Sequence, residues 1–491
     1  MARIGHRVPS LIARVEALAN DALPARRLVG AAVGALAALV PALWMWGYTV
    51  DDALIAIRYA RHLAMGVGYR FNADGASTDG VTPLAWPFLL ASFAKADPLT
   101  VLVRAQVLGL VAHVGACAAA GAALARVTSP RWAKAVAACV LLLCVPVAAN
   151  AVSGMETALA LALATLASIA WKRPMHAALL AGAAASLRPE MAPWAIVLST
   201  GFELASARER RSARRLAGVA LLAFAPFALC VLVRVVAFGK PAPLALMAKP
   251  SDLEHGLAYV GAGFVVTLAP LVACAPLALW RGPRAAFVIV MAAVAHFGAI
   301  VLVGGDWMPY ARLLVPVVPS LLVAFVVSAP HARGLASLAR GVAALAVGGY
   351  LIAAGGTSGR DVGADRKRLV ADARPYLASA HRVASLDIGW PTAASEASIV
   401  DLAGLTDPVI AALPGGHTSK RIDAALLLER DPDVLLVYVV NDTRTPARVV
   451  EARLLRSELI DARFERRAFL PLGSRGAGYV VFQRRAAPPS P

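Results

Sequence analysis

The sequence predicts a multi-span α-helical membrane protein with a small α/β domain at its C-terminal end. Of the 491 residues, 59% are hydrophobic and only 16% are charged, below the roughly 25% of charged residues in a typical soluble domain. The apolar residues also form runs of about 18 or more, the length that spans the hydrocarbon core of a bilayer. These two observations exclude a soluble enzyme and a disordered chain.

The first predicted span is Leu28–Tyr48, which follows a basic N-terminal stretch and ends in aromatic residues typical of a membrane interface. Together with later apolar segments it makes about eleven crossings. The later segments are Thr100–Arg126, Trp132–Ala149, Gly154–Trp171, Met175–Leu187, Met191–Leu204, Leu216–Phe238, Leu257–Trp280, Ala285–Val303, Leu313–Val327 and Leu335–Ala354. We therefore expect a multi-pass protein of the bacterial cytoplasmic membrane, with residues 1–355 as its membrane domain.

The net charge of +18 comes from 48 Lys and Arg residues against 30 Asp and Glu residues. In a soluble protein this excess would indicate nucleic acid as a partner. Here the basic residues lie mostly at the ends of apolar runs, as in Ala205–Arg215, which is the distribution that orients membrane proteins. We therefore predict contact with membrane lipids, no nucleic acid, a cytoplasmic N-terminus and an outer C-terminus.

A polar outer loop, residues 50–82, follows the first span. Its first half, Asp52–Met65, is predicted to form an amphipathic helix along the membrane surface. The spacing Thr49-x-x-Asp52 fits a capping box, in which Asp52 would only close the helix N-terminus. That hypothesis leaves Asp51 unexplained, because neighbouring carboxylates repel and a cap needs only one of them.

The composition changes near residue 356, where charged residues become frequent and short β-like runs alternate with helical stretches. The predicted strands are Val383–Ile388, Ile399–Leu402, Val434–Val440 and Gly478–Phe482, and the predicted helices are Asp365–His381 and Pro446–Leu459. This pattern is typical of a small α/β domain with a core of its own. We expect residues 356–491 to form this domain on the outer, periplasmic side of the membrane.

Polar residues that could carry chemistry fall mainly at the outer ends of the predicted spans, where ionisable groups indicate a functional site. They include Asp51, Asp52, Arg58, Arg104, Glu156, Arg188, Glu190, Lys249, Asp306, Tyr310 and Arg312. A carboxylate can act as general base on a hydroxyl, and arginines can hold a phosphate and stabilise it as a leaving group. A lipid phosphate would keep its tail in the bilayer and its headgroup at this depth. The set favours sugar transfer from a lipid-linked donor.

Several of these residues also have purely structural explanations. Glu156 could be an acidic residue that the dipole of a helix N-terminus favours. Arg188 could pair with Glu190 or Glu156, and Arg104 could reach lipid headgroups. The chemical hypothesis therefore depends on the set as a whole.

Five stretches of the chain resemble a known family. Trp46–Trp86 contains W-G-Y-T-V-D-D-A-L-I-A-I-R-Y-A and D-G-V-T-P-L-A-W, and is similar to the first outer loop of the mycobacterial-type terminal β-(1→2) arabinofuranosyltransferases. Four further stretches resemble the same family. They are S-G-M-E-T at Ser153–Thr157, L-R-P-E at Leu187–Glu190, G-G-D-W-M-P-Y-A-R at Gly304–Arg312, and D-I-G-W with D-L-A-G-L-T-D-P at Asp387–Pro408. More broadly, the chain resembles polyprenyl-phosphate-sugar-dependent glycosyltransferases of the GT-C superfamily.

This resemblance implies a GT-C-type fold with an active site on the outer face. It also implies transfer of a sugar, arabinofuranose first among the candidates, from a polyprenyl-phosphate-linked donor to a hydroxyl of an envelope glycan, lipid or protein. Asp51 or Asp52 would be the catalytic base, Glu156 the second acidic position and Arg104 the basic residue that opens the second span. The predicted substrate-binding set is Arg58, Arg104, Glu156, Arg188, Glu190, Lys249, Asp306, Tyr310 and Arg312.

The sequence leaves alternatives open. The sugar could be mannose or aminoarabinose, and a lipid or sugar transporter or a glycan-binding scaffold are rival hypotheses. A transporter should show internal repeats and matching broken helices, whereas this sequence shows no repeat and one clear break. No cofactor is predicted with certainty, although Asp51, Asp52 and Glu156 could hold a divalent cation such as Mg²⁺, Mn²⁺ or Ca²⁺.

Overall fold

A computed structural model describes residues 23–206, 212–249, 251–265, 281–332, 334–355, 358–440, 445–473 and 476–485. The described residues in the first two thirds of the chain are mainly helical. The helices are α1 (Leu23–Trp44), α2 (Asp51–Ala64), α3 (Ala85–Ala91), α4 (Pro98–Leu124), α5 (Arg131–Leu142), α6 (Val145–Ala151), α7 (Thr157–Ile169), α8 (Pro174–Leu187), α9 (Ala192–Ser206), α10 (Ala213–Phe238), α11 (Leu244–Ala248), α12 (Leu253–Gly263), α13 (Arg284–Leu302), α14 (Val318–Ser328) and α15 (Gly334–Gly355). Single 3₁₀ turns lie at Pro189–Met191, Val315–Val317 and Ala329–His331.

Four of the helices in these ranges, α1, α4, α10 and α13, are long and apolar enough to cross a membrane. A fifth crossing results if α5 and α6, which meet at 59°, are one broken span. The predicted total of about eleven is therefore not reproduced, because breaks in the chain leave other apolar helices only 10–17 residues long. The predicted span Leu257–Trp280 lies largely outside the described residues.

Helices α1 and α4 pack tightly through glycines. A Cβ atom at Gly30 or Gly34 of α1 would collide with backbone carbonyls of α4, those of Gly121 and Cys117 respectively. Small residues commonly allow membrane helices to approach in this way. The later glycine of α1 contacts the earlier residue of α4, so the two helices are antiparallel. The C-terminal end of α1 therefore lies beside the N-terminal end of α4.

The predicted helix break before residue 190 is confirmed. Helix α8 ends at Leu187, Arg188 is extended (φ −133°, ψ 93°), and the 3₁₀ turn Pro189–Met191 leads into α9. A proline disfavours helical geometry in the residue before it, which explains the break. Arg188 and Glu190 consequently lie between two helix ends.

The start of α2 differs from the capping-box prediction. Val50 is the N-cap residue and provides no side-chain cap, and the hydroxyl of Thr49 donates to the carbonyl oxygen of Ser153 at 3.0 Å. Asp51 and Asp52 are the first two residues of the helix. The capping-box hypothesis is therefore wrong, and both carboxylates are free to make other contacts.

The C-terminal domain contains a five-stranded sheet and short helices. Its elements are α16 (Ser358–Leu377), β1 (Arg382–Ser385), α17 (Pro391–Ala394), β2 (Ser398–Asp401), α18 (Pro408–Ala411), α19 (Ala424–Glu429), β3 (Val434–Val439), α20 (Val449–Leu455), α21 (Glu458–Arg463), β4 (Phe464–Pro471) and β5 (Gly478–Arg484). The strand order is β2-β1-β3-β5-β4, with β2, β1 and β3 parallel and with β5 antiparallel to both β3 and β4.

The four strands predicted from the sequence are present, with ends that differ by a few residues. The edge strand β4 was missed because its sequence, F-E-R-R-A-F-L-P, carries charges and is buried at only two positions. The predicted helix at residues 446–459 is two short helices, α20 and α21.

One continuous hydrophobic core joins α2 to the C-terminal domain. Arg58 of α2 donates to the carbonyl oxygen of Ala397 at 3.1 Å and to that of Glu396 at 3.2 Å. Asn72 exchanges two hydrogen bonds with the backbone of Ile399, at 2.9 and 2.8 Å. We refer to this contact, formed by Asp51, Arg58 and Asn72 with Arg366, Gly389, Trp390, Glu396, Ala397 and Ile399, as the joint.

Candidate functional site

A cavity of about 220 Å³ lies between the start of α2, the break before α9, helix α11 and the segment that connects α13 to α14. Leu405 of the C-terminal domain contributes to its wall. Seven of the predicted site residues line it, namely Asp52, Glu156, Arg188, Glu190, Lys249, Asp306 and Arg312. We refer to this space as the Asp52 cavity. The fold thus brings together charged side chains that are far apart in the sequence.

Arg312 connects two carboxylates on one wall of the Asp52 cavity. Its Nη1 lies 3.1 Å from Oδ2 of Asp52, and its Nε lies 2.8 Å from Oδ2 of Asp306. Burial opposes ionisation of Asp306, but the positive charges of Arg312 and Lys249 outweigh it and hold the pKa of this carboxyl below its ordinary value. Asp306 therefore stays ionised and fixes the guanidinium.

Asp52 is the more exposed of these two carboxylates, with 24% of its side chain accessible against 6% for Asp306. Only Oδ2 of Asp52 contacts Arg312. Its Oδ1 has no hydrogen-bond partner within the described part of the chain. The guanidinium thus orients the carboxylate, and one oxygen can still accept a proton from a bound hydroxyl.

The segment that carries Asp306 and Arg312 has an unusual backbone. Gly304 and Gly305 have φ angles of 86° and 71°, and two non-glycine residues, Tyr310 and Ala311, have φ angles of 62° and 48°. A positive φ costs a non-glycine residue roughly 1–3 kcal/mol, and it persists where the surrounding structure holds it. Such conformations cluster at functional sites, which agrees with the place of this segment in the cavity wall.

Arg188 also lies between two carboxylates that line the cavity. Its Nε is 3.1 Å from Oε1 of Glu156, its Nη1 is 3.5 Å from Oε1 of Glu190, and its Nη2 donates to the hydroxyl of Thr157 at 2.7 Å. Only 1% of the Glu156 side chain is exposed, and neither of its oxygens accepts a well-formed hydrogen bond from the described residues. A buried, unsatisfied carboxylate in a cavity wall is a place where a polar ligand can bind.

Lys249 provides a third positive charge and is held less firmly than the two arginines. Its ammonium group makes no hydrogen bond and no ion pair with a described residue. Arg188 and Arg312 are each engaged with two carboxylates. Lys249 is therefore the cation best placed to bind an additional anionic oxygen, such as that of a phosphate.

Asp51 belongs to the joint and does not line the Asp52 cavity. Its Oδ2 accepts from the backbone N–H of Gly389 at 2.7 Å, and its Oδ1 accepts from that of Trp390 at 2.8 Å and from Nη1 of Arg366 at 3.0 Å. Burial and the nearby carboxylate of Asp387 raise the pKa of Asp51 to about 6, against the attraction of Arg366. The structure thus separates the predicted acidic pair.

Three further predicted residues also lie outside the Asp52 cavity. Arg58 is buried in the joint, where it also forms an ion pair with Glu396 at 3.2 Å. Arg104 is exposed and donates to the carbonyl oxygen of a neighbouring loop residue at 2.7 Å. The ring of Tyr310 packs edge-on against that of Tyr48, with ring centres 5.0 Å apart. Their contacts with substrate stay predictions.

An ion pair that the sequence analysis missed supports another part of the cavity wall. Nε of Arg234, in α10, lies 2.6 Å from Oδ2 of Asp79, and Nη2 donates to the carbonyl oxygen of Thr82 at 2.5 Å. Both side chains of the pair are buried, and Val81 and Thr82 line the cavity. An arginine inside an apolar span is the sequence signal that could have identified this pair.

His417 approaches the same region from the C-terminal domain and was also missed. Its ring lies 6.3 Å from that of Trp307, which stacks on His255 with ring centres 4.1 Å apart. Burial and the positive charge of Lys249 lower the pKa of His417 to about 4, so the imidazole is neutral near pH 7. No motif around this histidine marks it in the sequence.

The structure divides the predicted metal ligands, because Asp51 lies in the joint while Asp52 and Glu156 line the cavity. Among the residues described here, no group of three or more His, Cys, Asp and Glu side chains is arranged to hold a metal ion. A divalent cation stays a prediction.

The C-terminal domain is similar to a protein family of unknown function. Residues 365–482, which extend from α16 to β5, match the family model described as Domain of unknown function (DUF8728). No curated protein matches the chain, and no solved structure does. The match covers the domain that contributes Gly389 and Trp390 to the joint, and it assigns no activity to the Asp52 cavity.

Proposed function

We propose that the protein is a GT-C-type membrane glycosyltransferase. It would transfer a sugar, arabinofuranose in the version that we favour, from a polyprenyl-phosphate donor to a hydroxyl of a cell-envelope glycan, lipid or protein. The supporting observation is the Asp52 cavity, in which a partly exposed carboxylate and three cations lie together in a protein with helices of membrane-spanning length. In this proposal the long apolar helices cross the bacterial cytoplasmic membrane, and the cavity and the C-terminal domain face the periplasm.

The three cations of the cavity suit a phosphate. The ammonium group of Lys249 makes no hydrogen bond or ion pair with a described residue, and Arg188 and Arg312 are oriented by buried carboxylates. Charge-assisted hydrogen bonds to phosphate oxygens are stronger than neutral ones, and they become stronger still as negative charge builds on a departing phosphate. In the proposed complex the lipid tail extends between the apolar helices and the sugar lies near Asp52.

Asp52 is the proposed general base. Its Oδ1 takes the proton of the acceptor hydroxyl, whose oxygen forms a bond to the anomeric carbon of the donor sugar. The bond between the anomeric carbon and the phosphate oxygen breaks, and its electron pair leaves with polyprenyl phosphate. Arg312 holds Asp52 through Oδ2, and Glu156, Glu190 and Asp306 keep the arginines in place.

The test is sugar transfer by the purified full-length protein in detergent. The donor is a short-chain polyprenyl-phosphoarabinose, and the acceptors are an arabinan, a lipid and a peptide. We expect transfer by the wild-type protein and its loss in Asp52→Asn, a variant that keeps the size of the side chain. Lys240→Met serves as a control, since Lys240 is exposed and does not line the cavity.

Two results would contradict parts of this proposal. Turnover only with a mannose or aminoarabinose donor would keep the enzyme class and replace the sugar. Failure with every donor, together with flux of a labelled lipid or sugar across proteoliposomes, would support a transporter and exclude the transferase.

A further inference from the structure

A second cavity, of about 630 Å³, lies at the other end of the helix bundle. It is formed by α1, α4, α5 and α14, and its wall is almost entirely apolar. Helix α1 runs from this cavity toward Asp52, and its 22 residues span roughly 33 Å at 1.5 Å per residue. The mouth of this space, at Arg26, and the Asp52 cavity therefore lie toward opposite ends of α1. We refer to this second space as the α1–α5 groove.

Three cations stand at the mouth of the α1–α5 groove, Arg26 of α1 and Arg131 and Lys134 of α5. None of them forms an ion pair with a carboxylate among the residues that the structure describes. Within the described part of the chain, these three side chains make one hydrogen bond, from Nζ of Lys134 to the carbonyl oxygen of Val127 at 2.9 Å. Arg26 and Lys134 are close enough for their charges to repel.

The N-terminus of α5 adds to this positive charge. Arg131 and Lys134 lie in the first turn of α5, which contains no acidic residue. A helix N-terminus favours anions and disfavours cations. Cations at this helix N-terminus, with no acidic partner among the described residues, form a site that an external anion would stabilise.

We propose that the α1–α5 groove binds an acidic phospholipid, with an acyl chain in the apolar groove and the phosphate between Arg26, Arg131 and Lys134. The groove provides the apolar surface that a chain needs, and its mouth provides charge that a neutral or cationic lipid would not match. Exposed apolar side chains such as Val33, which is 46% exposed, lie along the wall. This site is separate from the Asp52 cavity and does not depend on the proposed transferase activity.

Native mass spectrometry of the delipidated full-length protein tests the proposal. Phosphatidylglycerol and phosphatidylcholine with identical chains are titrated in a neutral detergent. We expect tighter binding of phosphatidylglycerol, and affinity for it about 30-fold weaker in the double variant Arg26→Gln with Lys134→Gln. The matched control is Lys172→Gln with Arg173→Gln, an exposed basic pair that does not line the groove. It should keep the wild-type affinity.

A second variant tests the apolar part of the site. Val33→Trp would fill the groove without altering charge, and we expect it to weaken binding of phosphatidylglycerol at least tenfold. Phosphatidylglycerol should also raise the melting temperature of the wild-type protein and of the control, but not that of Val33→Trp. Equal affinity for the two lipids, or unchanged affinity in both the charge and the groove variants, would overturn the proposal.

Discussion

Two neighbouring residues of α2 lead into two different regions of the molecule, the joint and the Asp52 cavity. In the joint, Asp51 accepts two backbone hydrogen bonds and contacts a guanidinium. In the cavity, Asp52 contacts one guanidinium through one oxygen and leaves the other without a described partner. The comparison indicates that the number of hydrogen bonds already made, and not charge alone, decides which of the two carboxylates keeps an oxygen available to a ligand.

The two regions also differ in where their incompletely bonded polar groups lie. Arg58, in the joint, donates to three carbonyl oxygens and one carboxylate. Nε of Arg366 and Nε1 of Trp390, also in the joint, are buried without a hydrogen-bond partner among the described residues, as are both oxygens of Glu156 in the cavity. Only Glu156 lines an open space, where a polar ligand can reach it.

The largest effect that we expect is on catalysis by Asp52→Asn. Loss of the general base should lower the rate of sugar transfer by about 10²–10⁴-fold. The side chain is partly exposed and has one ion pair, so the free energy of unfolding should change by at most about 1 kcal/mol. The measurement is transfer rate together with thermal unfolding of the same preparation.

Asp51→Asn provides the contrast, with the larger loss of stability and the smaller direct effect on chemistry. If folded Asp51→Asn lost transfer as completely as Asp52→Asn while keeping its substrate affinities, the division between joint and cavity would be wrong.

The second prediction concerns the joint alone. In Gly389→Ala the new Cβ would collide with the backbone carbonyl of Asp51, which cannot move without shifting the start of α2. We expect destabilisation by about 1–3 kcal/mol, measured by thermal or denaturant unfolding in detergent. Gly416→Ala is the control, because its Cβ would meet only the hydroxyl of Ser419, at 3.7 Å. If Gly389→Ala is as stable as Gly416→Ala, the backbone of the joint is not tightly packed.

The third prediction concerns the cation without a described partner in the cavity. Lys249→Met should raise the KM for the lipid-phosphate donor about tenfold, because a charge-assisted hydrogen bond to phosphate is lost. The KM for the acceptor should change little. Lys240→Met, which alters an exposed lysine a few residues before α11, should leave both constants near their wild-type values. A rise in the acceptor KM alone would move Lys249 to the acceptor side of the site.

Local features of this fold follow from the sequence because their causes are local. The break before Glu190 follows from Pro189, and four strands follow from runs of β-branched and aromatic residues. The strand β4 is not predictable in the same way, because an edge strand is half exposed and its charged residues hide the pattern. The predicted number of spans is not reproduced for a related reason. A kink such as that between α5 and α6 divides one apolar run into helices that are too short to cross a membrane alone.

The candidate site was predicted in composition but not in arrangement. Seven of the residues chosen from the sequence line one cavity. The sequence could not show which of Asp51 and Asp52 faces the cavity. Adjacent residues of a helix point about 100° apart, and the packing of the C-terminal domain decides what surrounds each of them. His417 illustrates the same limit, because it reaches the site from a domain more than a hundred residues further along the chain.

The smallest expected effect is a difference in pH dependence between carboxyls whose pKa rises on folding and Asp306, whose pKa is lowered. Burial raises the pKa of Asp51 to about 6 and that of Glu451, in α20, to about 7, from ordinary values of 3.8 and 4.5. A carboxyl whose pKa rises on folding stabilises the folded state below its ordinary pKa, and that contribution is lost as the pH rises through the folded value. For Asp306 the pKa is lowered, so its contribution is present above 3.8 and lost only as the pH falls further.

Between pH 5 and 7.5, therefore, the carboxyls of the joint and the C-terminal domain should make the protein less stable as the pH rises, while Asp306 should contribute no slope. Unfolding midpoints of the wild-type protein, Glu451→Gln and Glu458→Gln across this interval measure the difference, since Glu458 is an exposed glutamate of the same domain. Glu451→Gln should flatten the slope and Glu458→Gln should retain it. Because glutamine cannot ionise, an unchanged slope in Glu451→Gln would mean that the carboxyl of Glu451 is already paired as well as that of Asp306.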